Sequence, residues 1–232
     1  DQSPDAGFVR RCAFATCGQA FTTVFDSALI DMSTNLALTN DLVVFGARRY
    51  GPPSDRIITV PKPGGTVTDI AVAPDFATAV VTDGTTVFWL DSAAVRSVPI
   101  TGGAVMTLAS GLVPSGGLSV DSQRVAWTER PSTTVPLSGR ILGVAKSGGA
   151  IETLVANAAS PRVVELAGNG ALVYADGVID YLPGSVSGIY RRTTTGSIQP
   201  VVGGIAGRGP IAVDGTHVYV SEGWWLKRVP RT

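Results

Sequence analysis

The chain has 232 residues, 44% hydrophobic and 16% charged, and its 18 basic and 18 acidic residues give a formal net charge of zero. This is enough apolar sequence for a sizeable core, and it excludes a disordered tail. Nucleic acid is excluded as the main partner, because phosphate binding needs a clustered positive surplus that the pairs Arg10–Arg11, Arg48–Arg49 and Arg191–Arg192 do not supply. No run reaches the length of a membrane-spanning helix and no basic amphipathic helix is visible, so membrane insertion is not expected either.

In chain order, "DQSPDAG" (1–7) reads as a polar linker, and a chain that opens on Asp1 without a signal peptide reads as processed or truncated. "FVRRCAFATCGQAFTTVF" (8–25) follows as a strand, a tight hairpin and a second strand. Its Cys12 and Cys17 are the only two cysteines. Two thiols cannot complete a zinc site, and the single histidine, His217, is far away in sequence. A hairpin-tip disulfide is preferred over free thiols, and it implies an oxidising compartment.

From there the chain repeats itself. "VVFGA" (43–47), "VFWLD" (87–91), "VAWTE" (125–129), "LVYAD" (172–176) and "VYVSE" (218–222) are equivalent runs, starting 38–47 residues apart. Each follows a short apolar run and a polar turn, such as "AVVTDGTT" or "IAVDGTH"; Asp-Gly and Asn-Gly there are hairpin signals because they accept positive φ. Asp41, Asp83, Asp121 and Asp214 recur in these turns as local backbone acceptors. A third and a fourth run come next, separated by Gly-Gly or Gly-Ser, as in "VRSVPITGGAVMTLAS" (95–110) and "ILGVAKSGGAIETLVA" (141–156). Sustained helical periodicity is missing, which rules out alternating strands and helices. Four strands (A to D) per unit at this spacing predict an all-β fold, a β-propeller of four-stranded blades occupying 8–232 as one domain. Five blades fit best, with six as the alternative. The chain ends on "WWLKRVPRT", a third strand without a fourth, so "QAFTTVF" (19–25) is expected to complete that last blade and close the ring by pairing the N- and C-terminal strands.

The runs "FWLD", "AWTE", "VYAD" and "YVSE" resemble the Y-W-T-D signature of YWTD-type propellers. The phrasing "VPITGG…TLASG…GGLSVDSQRVAWTE" and the "RCAFATC" hairpin resemble short-repeat secreted bacterial propellers related to the YWTD and NHL groups, of the kind found in myxobacterial envelope proteins. The resemblance covers the chain from about residue 8. It implies binding or scaffolding more often than catalysis, and a secreted, periplasmic or cell-surface location. The chain departs from the pattern at Ala47, where an acid is usual, and at Val220, where an aromatic is usual.

Asp91, Glu129, Asp176 and Glu222 fall at the ends of their B strands, where a propeller has the upper end of its channel. One reading is structural: each caps backbone amides or pairs with an arginine of a neighbouring blade, and Arg96, Arg130 and Arg140 are available. Another has some of them converge on a hard cation, Ca2+ or another divalent ion, which is the one cofactor the sequence suggests. Recognition is expected in the irregular loops of the same face, which hold Arg48, Arg49 and Tyr50, then Arg130, then Asp180 and Tyr181. Trp224 and Trp225 face opposite ways in an extended strand, which leaves Trp224 as a further binding candidate. "GSVSG" (184–188) centres on Val186 and is no nucleophile elbow, and His217 has no nucleophile motif to serve. The expected function is a non-catalytic extracellular or envelope-associated module that presents these loops to a protein or glycan, or a spacer within a larger assembly. The alternative is a metal-dependent hydrolase or lyase that uses the four acids.

Overall fold

The computed structural model describes residues 7–13, 21–27, 30–32, 34–49, 55–132, 135, 137–177, 187–203, 211–222 and 225–230. Every regular element among them is a strand, and the strands fall into six sheets. The chain divides into two compact units, Asp1–Met106 and Thr107–Thr232.

In the first unit, β1 (Gly7–Arg11) and β2 (Thr22–Ser27) pair antiparallel as a two-stranded sheet. Next, β3 (Ile30–Met32) and β4 (Ala37–Leu38) both pair with β5 (Leu42–Arg49), which continues through β6 (Asp55–Pro61) to β7 (Thr68–Val72). The predicted A strand of this sheet is thus made in two pieces. Then β8 (Ala79–Thr82), β9 (Thr86–Leu90) and β10 (Ala94–Pro99) form an antiparallel run, and the unit ends at the first residue of β11 (Met106–Ser110).

The second unit has two complete four-stranded antiparallel sheets. One is β12 (Pro114–Val120), β13 (Arg124–Glu129), β14 (Gly139–Ala145) and β15 (Glu152–Ala158); the other is β16 (Pro161–Leu166), β17 (Leu172–Asp176), β18 (Gly188–Arg192) and β19 (Ile198–Gly203). A three-stranded sheet of β20 (Ile211–Val213), β21 (His217–Glu222) and β22 (Trp225–Pro230) completes it.

Among the described residues the expected pairing of the N- and C-terminal strands is not formed. "QAFTTVF" contributes to β2, which is paired with β1, while β22 is paired with β21 in a separate sheet. The physical reason is proximity: a hairpin partner a few residues away costs far less loop-closure entropy than one at the other end of the chain.

The B strands are buried along nearly their whole length, on both faces, as the patterns of β9, β13 and β17 show. Within each unit, neighbouring sheets cover one another. Val44 and Ile57 pack with Val80, Val87 and Trp89, while Phe45, Ile58 and Val60 of the same sheet pack with Val9, Val24 and Phe25. In the second unit Ala126 and Ile141 pack with Val164, Leu172 and Tyr174, and Val173 and Ile189 pack with Ile211 and Val218. At about 1.5–3 kcal/mol for each large apolar side chain buried, these layers carry the stability of the units. Polar groups are pushed to the strand ends.

The C–D turns explain the repeated Gly-Gly. Gly102 and Gly103 have φ of 84° and 135°, Gly148 and Gly149 have 82° and 124°, and in each turn the first glycine donates its N–H to a carbonyl three residues back. Side chains are strained at such φ values, so the turn selects glycine.

Candidate functional site

The acids at the B-strand ends are turned into the protein. Asp91 follows β9 and is 1% exposed. One carboxylate oxygen accepts the N–H groups of Ala93 and Ala94, at 3.0 and 2.7 Å, and holds the turn into β10. The other accepts Arg96 Nε at 2.7 Å. Glu129, the last residue of β13, is fully buried: Oε1 accepts Trp127 Nε1 at 3.1 Å and the Val113 N–H at 3.3 Å, and Oε2 accepts Arg140 Nε at 2.8 Å. Both arginines lie on the next strand of the same sheet, not on a neighbouring blade as the sequence suggested. Antiparallel register is the reason, since Glu129 and Arg140 stand directly opposite each other.

Asp176 solves the same problem without an arginine. Its carboxylate accepts the N–H groups of Ala159 at 2.9 Å and Ser160 at 2.6 Å, so it pins the turn that leads into β16. The residue opposite it is Gly188, where the preceding sheet has Arg140. Burial raises the Asp176 carboxyl above the ordinary carboxylate range, against the lowering effect of the Ser160, Ala159 and Gly177 amides. Burial also raises the Tyr174 phenol, helped by the Asp176 charge. In the first sheet the substitution runs the other way: Ala47 replaces the acid but Arg56 is kept opposite, and Arg56 turns to Asp69 at 3.3 Å. Glu222 ends β21, and its side chain lies outside the described residues, so the proposed metal set of Asp91, Glu129, Asp176 and Glu222 is described for three members only. Among the described residues no three His, Cys, Asp or Glu side chains are grouped to hold a metal ion.

Of the recognition candidates, Arg48 is engaged internally, with Asp55 at 3.0 Å and with its guanidinium 4.5 Å from the centre of the Phe76 ring. Arg49 closes β5, with its side chain outside the described residues. Tyr50, Asp180, Tyr181 and Trp224 also lie outside them, as does Cys17, the partner expected for Cys12.

Arg130 differs from the other arginines beside B strands. Its Nη1 donates to Ser160 Oγ at 3.0 Å, its Nε is buried with no hydrogen-bond partner, and no carboxylate pairs with it among the described residues. Ser160 is itself 2% exposed. Sequence reasoning missed Ser160, and the one available signal was its place just before Pro161 at the entry to an A strand.

The A–B turns carry the predicted acceptors. Asp83, Asp121 and Asp214 each accept backbone N–H groups two and three residues ahead, at 2.7–2.9 Å. At the first turn Thr39 takes over that role, with its hydroxyl accepting from Asp41 and Leu42. His217 sits in the last of these turns, its Nδ1 2.7 Å from Thr216 Oγ1, with no other nucleophile hydrogen-bonded to it among the described residues.

The repeated antiparallel four-stranded sheets of this chain superpose on several solved structures. A chain of the nidogen/laminin complex superposes with a TM-score of 0.67 at 16% identity, covering 87% of this chain and 76% of that one. The fold is a β-propeller. TolB from Acinetobacter baumannii gives a TM-score of 0.60 at 14% identity, covering 81% of this propeller and 49% of that chain. Oligogalacturonate lyase in complex with manganese gives 0.60 at 12% identity, covering 98% and 72%. Identities this low show the fold alone. No family model matches the propeller chain, and no curated protein does.

Proposed function

We propose that this propeller is a single-domain, five-bladed binding or scaffold module without catalytic machinery, secreted, periplasmic or at the cell surface, with myxobacterial envelope-type repeats. It recognises a protein or glycan through the loops at the ends of its B strands, and a Cys12–Cys17 disulfide suits that location. The observation that carries this reading is the inward use of the B-strand acids: both Asp91 and Glu129 hold arginines and backbone amides, which leaves neither carboxylate free for proton transfer. The same fold in a nidogen/laminin complex and in an extracellular domain from B. thetaiotaomicron supports a binding role outside the cell. No helix among the described residues is long and apolar enough to cross a membrane.

The second reading, a metal-dependent hydrolase or lyase, draws on Asp176, whose carboxylate has no ion pair among the described residues, and on the manganese-bound oligogalacturonate lyase that shares the fold. Thermal unfolding with Ca2+, Mn2+ and EDTA separates the two. A cation that binds the folded state raises the midpoint by mass action. The binding-module reading expects no EDTA-reversible rise, and a saturable rise of several degrees would favour the enzyme.

A further inference from the structure

We propose that the outer edge of β22 docks an extended segment of a partner protein, which adds to the sheet as its fourth strand. The segment reads Glu or Gln, any residue, Leu or Val, then Val. This goes beyond the binding-module reading, because it uses a strand edge and not the loops at the B-strand ends.

Leu226 lies within β22 and is 74% exposed. It stands opposite Ser221, as Ile141 stands opposite Thr128 and Ile189 opposite Ala175, so the three residues occupy one register position of the repeat. Ile141 and Ile189 are both fully buried, and in each of their sheets the fourth strand supplies part of the cover. Leu154 and Val155 of β15 pack with Ile141, and Val201 and Val202 of β19 pack with Ile189. β22 pairs with β21 on one side, and among the described residues no strand pairs with its other side. An edge of this kind offers a row of backbone donors and acceptors to another chain.

The two complete sheets of the same unit show what fits such an edge. Val155 stands opposite Ile141 and Val202 opposite Ile189, each preceded by an extra aliphatic residue, Leu154 or Val201, at a bulge. Two residues beyond Leu226 comes Arg228, exposed and with no acceptor bonded to it among the described residues. Its equivalent on β18 is Arg191, whose Nε and Nη2 donate to Gln199 Oε1 of the fourth strand at 2.9 and 2.6 Å. β15 has Glu152 at that same place. The segments 152–155 and 199–202 therefore share one pattern, Glu-Thr-Leu-Val and Gln-Pro-Val-Val. Lys227 beside Arg228, on a strand with no acid, favours the version with glutamate. Lys227 and Pro230 also guard the edge against unselective pairing, which charge and proline discourage.

The test is fluorescence anisotropy of the full chain with the labelled peptide AIETLVANA, the sequence of residues 150–158. Saturable binding is expected. It should be lost when the Leu and Val of the peptide are both changed to Asp. Of two versions N-methylated at alternating residues, the one that blocks the nitrogens facing β22 should also fail, although its side chains are intact. In the protein, L226D should weaken binding at least about tenfold and R228Q about two- to fivefold. V135D, at an exposed aliphatic residue outside the strands, should leave binding unchanged. Leu226 is already exposed, so L226D should keep the wild-type unfolding midpoint, which is measured for each variant. Equal binding by wild type and L226D overturns the assignment to β22. Equal binding of the parent peptide and both methylated versions overturns strand addition. Self-association of wild type in sedimentation velocity that L226D abolishes replaces the partner protein with a second copy of this chain. If no peptide binds wild type the inference falls, and the cation titration still decides the binding-module reading by itself.

Discussion

Trp127 Nε1 donates to Glu129 Oε1 at 3.1 Å, from two residues earlier on the same strand and so from the same face. The equivalent pair one sheet earlier, Trp89 and Asp91, makes no such bond: Trp89 Nε1 is buried without a partner. The difference is one methylene. Glutamate is long enough to meet both the indole and Arg140, whereas the shorter aspartate is occupied by the Ala93 and Ala94 amides and Arg96.

Two phenylalanine substitutions turn that contrast into a measurement. Trp127→Phe and Trp89→Phe remove similar volume from fully buried sites, but only the first takes a donor from a buried carboxylate. Trp89→Phe also relieves a buried unsatisfied N–H. Trp127→Phe should therefore be the more destabilising by about 1–3 kcal/mol in urea unfolding. Equal losses would mean that the indole–carboxylate bond contributes nothing net.

Glu129→Gln tests the ion pair itself. The amide still accepts from Trp127, but Arg140, 45% exposed, loses its charged partner. Solvent can reach the guanidinium, so the loss should be about 1.5–3 kcal/mol and not the larger cost of a fully buried orphan charge. Urea midpoints of Glu129→Gln, Arg140→Gln and the double variant give the coupling. Strict additivity would show that the pair is electrostatically idle.

Close approach at a strand end makes a third prediction. A Cβ on Gly139 would come within 2.4 Å of Pro161 Cδ and 2.8 Å of the Ala158 carbonyl oxygen, in rigid backbone and ring. Gly139→Ala should cost about 1–3 kcal/mol through overpacking. Gly203→Ala, where a Cβ meets nothing within 4 Å, is the control and should stay within about 0.5 kcal/mol of wild type. A neutral Gly139→Ala would show that Pro161 can shift.

The repeat was legible because its signals are local. Asp83-Gly84 and Gly102-Gly103 punctuate the strands through φ preference, and the alternation-free apolar runs of β9 and β13 follow from burial on both faces. Closure was not legible, since the choice of partner for β2 depends on competition between a near strand and a distant one. The site was legible in residue type and not in connectivity. Asp91 and Glu129 stand out by position, but which arginine answers each is set by antiparallel register, and Ser160 gains its role only because Asp176 folds the turn beneath it. Asp176 itself looked equivalent to Glu129. Gly188 in place of an arginine separates them, and that is visible only once the strands are aligned.

That difference has a pH signature. The folded-state pKa of Asp176 is raised, with burial as the largest cause, so the folded protein binds this proton more readily than the unfolded chain does. Acidification through the folded pKa therefore adds stability at this site, and the gain levels off below the ordinary carboxylate pKa of the unfolded chain. Glu165 is raised by burial too and contributes with the same sign, so the comparison must be made against a variant in which only Asp176 is silent. Asp176→Asn serves: it cannot ionise, and its loss of an acceptor is a constant offset at every pH. Urea unfolding of both proteins between pH 7 and pH 4 should show wild type gaining on Asp176→Asn as pH falls. If wild type instead loses ground, the three backbone amides outweigh burial and Asp176 behaves as an ordinary capping carboxylate.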